Sequence, residues 1–63
     1  MDLGPVFERT AVVLEHSAQL ADVHARWEEK FGRHDSARHE REVAAWARGQ
    51  AKQARHRATR LPN

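Results

Sequence analysis

Apolar and small residues recur along the chain at intervals of three, four and seven. Ala11, Ala18 and Ala25 are seven apart, with Phe7, Leu14 and Ala21 running beside them. This is helical spacing, and no stretch alternates as a half-buried strand would. Pro5 suits a first helical turn, where its missing N–H is no loss. Gly32 suits a helix end, because glycine enters the left-handed conformation without a Cβ penalty. The pattern predicts helix 1 over about 5–31, a turn over about 32–36 and helix 2 over about 37–60. Asp35 or Ser36 is the expected cap of the second helix. Gly49 lies inside that helix and weakens it by ~1 kcal/mol relative to alanine. The expected fold is all-α: one domain over residues 1–63, an antiparallel helical hairpin with an alanine-rich seam.

Charge sets the register. Glu8, Glu15, Asp22 and Glu29 form an acidic stripe at intervals of seven, and Arg41, Arg48 and Arg55 form a basic one. Residues that face each other across an antiparallel hairpin have a constant index sum. Glu29 with Arg41, Asp22 with Arg48 and Glu15 with Arg55 each total 70, which centres the turn on Asp35. Ala25 with Ala44, Ala18 with Ala51 and Ala11 with Ala58 total 69; Ala21 with Ala47, Leu14 with Ala54 and Phe7 with Leu61 total 68. Small side chains in these layers let two helices approach to the short end of the usual range of about 8–10 Å. On a helical wheel both charge stripes fall on the same side of the seam.

The opposite side is apolar. Val6, Val13, Leu20 and Trp27 repeat at intervals of seven, flanked by Leu3 and Phe31, and helix 2 adds Val43 and Trp46. Two helices cannot cover this strip with their own atoms. A contiguous apolar patch of this kind marks an interaction site. The expected solution is a homodimer, two hairpins forming a four-helix bundle about a two-fold axis. Thr10, Ser17 and His24 run along the same strip. They read as a polar line that packs against helix backbone and sets register between chains.

Composition narrows the function. Cysteine is absent, so disulfides and cysteine metal sites are excluded. No apolar run exceeds five residues (Val43–Ala47), far too short to span a membrane. A cytoplasmic setting without membrane contact is the expectation. Bases outnumber acids by two overall. Residues 1–31 hold six acids against three bases, and residues 38–63 hold seven bases against two acids. Lys52, Arg55, Arg57 and Arg60, with His56 among them, are the candidate contacts for nucleic acid. In the register above Arg55 faces Glu15, and Lys52 can reach the same acidic stripe. The run therefore reads first as a partly compensated helix face.

Catalytic and metal signals are weak. His34, Asp35 and His39 cluster near the turn, with Asp35 and His39 four apart, but two histidines and one carboxylate there are a weak zinc signal. "HEREV" at 39–43 lacks the second histidine of a zinc-protease helix. Ser17 and Ser36 lack a nucleophile elbow, and Gly4, Gly32 and Gly49 form no phosphate loop. The expected function is a small non-enzymatic, cofactor-free protein acting through protein–protein contact, as adaptor, regulator or assembly partner. Its expected partner is a second copy or an unidentified protein. Nucleic-acid binding through helix 2 is the alternative.

Overall fold

The computed structural model describes residues 2–60. Within them the chain forms α1 (Gly4–Lys30) and α2 (His34–Arg60), packed against each other as a hairpin. Each helix has 27 residues, and the pair extends over 50 Å with a cross-section near 12 Å. At α1's start, Pro5 lies in the first turn and the Gly4 N–H donates to Asp2 Oδ1 at 2.9 Å. Among the described residues, no helix is long and apolar enough to cross a membrane.

The turn is shorter than the spacing predicts. Gly32 takes φ 77°, the left-handed conformation. Its N–H donates to the Glu29 carbonyl at 3.0 Å, and the Arg33 N–H donates to the Glu28 carbonyl at 2.7 Å. These two bonds close α1 in a Schellman arrangement. The Arg33 carbonyl then accepts from the Ala37 N–H at 3.0 Å, so α2 begins at once. Helix 2 thus starts at His34 rather than near residue 37, and Asp35 and Ser36 lie inside its first turn instead of capping it. Asp35 is well placed there, since a carboxylate near a helix N-terminus offsets the helix dipole.

The expected ion pairs nonetheless form. Arg41 bonds Glu29, Arg48 bonds Asp22, and Arg55 bonds Glu15, its Nε donating to Oε2 at 3.2 Å. Their indices total 70, although the turn is centred on Gly32, where level residues total 64. The difference follows from side-chain direction. Every helical side chain leans toward the N-terminus of its own helix. In an antiparallel pair the two leans point toward each other, so long side chains meet when each backbone position lies about one turn C-terminal of the meeting point. Long pairs therefore overstate the turn position by about three residues per helix, or ~4.5 Å of rise.

Alanine has too little side chain to lean, and the seam layers shift accordingly. Ala18 and Ala21 cluster with Ala44 and Ala47, and Ala11 clusters with Ala51 and Ala54. Ala51 thus groups with Ala11 rather than with Ala18, while Ala21 and Ala47 share a layer as expected. Leu14 is half-buried and packs against both clusters. Ala25 and Ala37 are also buried, and Ala58 only partly. Leu61, which the register sets opposite Phe7, lies outside the described residues.

Every fully buried residue among those described is an alanine. A buried methyl-sized group contributes ~0.8 kcal/mol, against ~1.5–3 kcal/mol for a Val, Leu or Phe. Most of the chain's apolar free energy therefore remains on the outside of the hairpin.

Candidate interaction face and basic groove

Leu3, Val6, Val13, Leu20, Trp27 and Phe31 on the α1 side, and Val43 and Trp46 on α2, are all exposed, by 40 to 66 %. Helical spacing sets them along the side of the seam opposite the ion pairs. Along α1 the polar residues within this strip are Thr10, Ser17 and His24, all exposed, and Arg9 borders it, lining a shallow depression with Val6, Thr10 and Val13. The Thr10 hydroxyl donates to the Val6 carbonyl at 3.0 Å, which satisfies it within its own helix. At the turn end, Trp27 and Phe31 stack with ring centroids 6.1 Å apart and planes 15° apart. Lys30 Nζ lies 5.4 Å from the Trp27 centroid, so a cation covers part of the indole. Val12 and Val23 are exposed as well, beyond the strip that the seven-residue spacing marks. Val23 could have been found from its place three residues after Leu20 and four before Trp27, one helical turn from each.

The opposite edge is a ladder of ion pairs. Arg55 holds two acids, Glu15 and also Glu8, whose Oε2 lies 2.6 Å from Nη1. Hydrogen bonds from Arg55, Arg48 and Arg41 hold the carboxyls of Glu15, Asp22 and Glu29 below the usual carboxylate range. Partial desolvation opposes each shift, and Arg26 and Arg41 add a further attraction at Asp22. The same bonds raise Arg41 and Arg55. Near the turn Arg33 Nη1 stands 3.7 Å from Glu28 Oε2, too far for a hydrogen bond. Arg38 Nη2 lies 3.4 Å from Asp35 Oδ1, one turn back along α2, a partner the register did not assign.

The basic run divides. Arg55 is engaged by its two carboxylates. Lys52, expected to reach the acidic stripe, instead lines a shallow groove with Phe7, Gly49, Gln53, His56, Arg57 and Arg60. Three residues of helix rotate Lys52 some 60° away from Arg55, toward the outer side of α2. Arg60 Nη1 lies 3.4 Å from His56 Nε2, and among the described residues no acid lines the groove. Around the turn, His34 and Arg38 line a second shallow depression with Glu29, Arg41, Glu42 and Ala45. Among the described residues, no three His, Asp or Glu groups come together as metal ligands would.

Comparison with protein-family models, curated proteins and solved structures found no match to this chain.

Proposed function

We propose that this chain acts by binding rather than catalysis, as a small helical interaction protein whose first partner is a second copy of itself. Two hairpins would bring their apolar faces together as a four-helix bundle with two-fold symmetry. The observation that supports this reading is the inversion of the apolar residues: alanines fill the core while the large side chains lie exposed along one face. The eight residues of that face, each 40 to 66 % exposed, form a contiguous apolar strip of the kind that marks an interaction site. The face also suits a copy of itself. Thr10, Ser17 and His24 run along its α1 side and would offer polar contacts that fix register. Arg57 and Arg60 stand at one end of the α2 side, where an antiparallel pairing would keep the two sets apart.

Sedimentation equilibrium at micromolar concentration tests the proposal. The expected result is twice the chain mass, with a denaturation midpoint that rises with protein concentration. A stable monomer whose midpoint ignores concentration would defeat it. A monomer that becomes ordered only on a different protein would assign the face to a heterologous partner instead.

A further inference from the structure

We propose that the groove on the C-terminal half of α2, at one end of the apolar face, is a phosphate-binding site for the backbone of nucleic acid. Its cationic side chains are Lys52, Arg57 and Arg60, all exposed, with the His56 imidazole beside Arg60. None of the three cations has a carboxylate partner among the described residues. The nearest acids in level are Asp2, whose Oδ1 accepts from the Gly4 N–H, and Glu8 and Glu15, both bound by Arg55 on the far edge of the seam. Arg57 and Arg60 also complement the C-terminal dipole of α2, an effect confined to the last turn. Lys52 lies two turns earlier, so the dipole does not account for it.

The spacing fits a charged strand. Lys52 to Arg60 spans ~12 Å of helix, which would face three or four phosphates of one strand at about 3.4 Å of axis each. Arginine forks bind phosphate oxygens in pairs, and lysine adds a point charge. Gly49 leaves the groove open, since a Cβ built there would meet nothing within 4 Å. This suits close approach of a bulky sugar–phosphate chain. A lipid surface fits less well: membrane-surface helices set large apolar side chains opposite their cations, and among the described residues Phe7 is the one large apolar side chain in this lining. No side chain in the groove is arranged to read base edges, so the expected binding is independent of sequence.

Fluorescence anisotropy with a labelled mixed-sequence duplex of about 20 base pairs, over roughly 50 to 200 mM salt, tests the site. Wild-type chain should bind with Kd about 10⁻⁴–10⁻⁶ M near physiological salt. Lys52→Gln, Arg57→Gln and Arg60→Gln should each reduce the salt slope by about 0.9. Arg38→Gln, near the turn, removes the same charge outside the groove and should leave the slope unchanged. Circular dichroism checks that each variant stays helical, and Lys52→Gln, mid-helix, carries the test if Arg60→Gln frays the end. Nanomolar binding lost with the same variants would support the groove and make nucleic acid the chain's principal partner. Absence of binding at low salt, or equal losses from Arg38→Gln, would overturn the site. Binding to phosphatidylserine vesicles without binding to the duplex would also overturn it.

Discussion

Leu20→Asp places a carboxylate at the centre of the proposed contact face. Leu20 is 50 % exposed in the single chain, so a second hairpin would cover roughly the half that is still wet. Full burial of a leucine side chain contributes ~1.5–3 kcal/mol, so that half accounts for about 1 kcal/mol per chain. The two-fold doubles it to about 2 kcal/mol per dimer. A carboxylate there also loses its water, at ~1–3 kcal/mol or more in each chain. The sum is at least about 4 kcal/mol, or roughly three decades in the dimer dissociation constant. In the proposed dimer folding and association are coupled, so the variant should lose both mass and helicity at micromolar concentration. Sedimentation equilibrium and circular dichroism on the same samples read this directly. Gln19→Asp is the control, since Gln19 is exposed beside the ion-pair edge, near Glu15 and Arg48. The reasoning fails if Leu20→Asp keeps the wild-type mass and midpoint, or if Gln19→Asp is equally damaging.

The ion-pair register is tested by Asp22→Arg, Arg48→Asp and their double variant, with denaturation midpoints compared at fixed concentration. Each single reversal should destabilise, and the double should recover part of the loss through the restored pair; a double variant worse than both singles combined would contradict the pairing. Acid should weaken the hairpin, because Glu15, Asp22 and Glu29 titrate below their usual range when folded. Their contribution is complete above the unfolded carboxylate values near ~4 and is lost as pH falls through the depressed ones. Thermal melts between neutrality and strong acid should show that fall, and a flat profile would refute it. Gly32→Ala should cost ~1–2 kcal/mol per chain through its left-handed backbone alone, because a Cβ there meets nothing. Gly49→Ala, in the α2 interior with equal room, should instead stabilise by ~1 kcal/mol; opposite signs in urea denaturation confirm the pair.

Much of the hairpin was legible in the residues because period and charge act locally. Seven-residue spacing put Ala11, Ala18, Ala25, Ala44 and Ala51 on facing seams, and all five are buried. The two charge stripes pair three-for-three at an index sum of 63 or of 70, and the turn signals at Gly32 and Asp35 chose 70, naming Glu29–Arg41, Asp22–Arg48 and Glu15–Arg55. Gly32 marked the end of α1 because no other residue type adopts its φ so readily. The exposed strip from Val6 to Trp27 was visible for the same reason: two helices have too few faces to cover it.

What only the tertiary structure decided concerns direction and reach. The turn lies three residues before the point that the ion pairs suggest, because long side chains lean toward their own N-termini and alanines cannot. Arg55 takes Glu8 as well as Glu15, which no constant index sum predicts, since one guanidinium spans two turns of the facing helix. Arg38 finds Asp35 because α2 starts early enough to put both in its first turns. Lys52 faces outward because the rotation that separates it from Arg55 carries it away from the seam. Spacing along the chain specified which residues share a face; the angle at which each side chain leaves the helix, and how far it reaches, settled which of them meet.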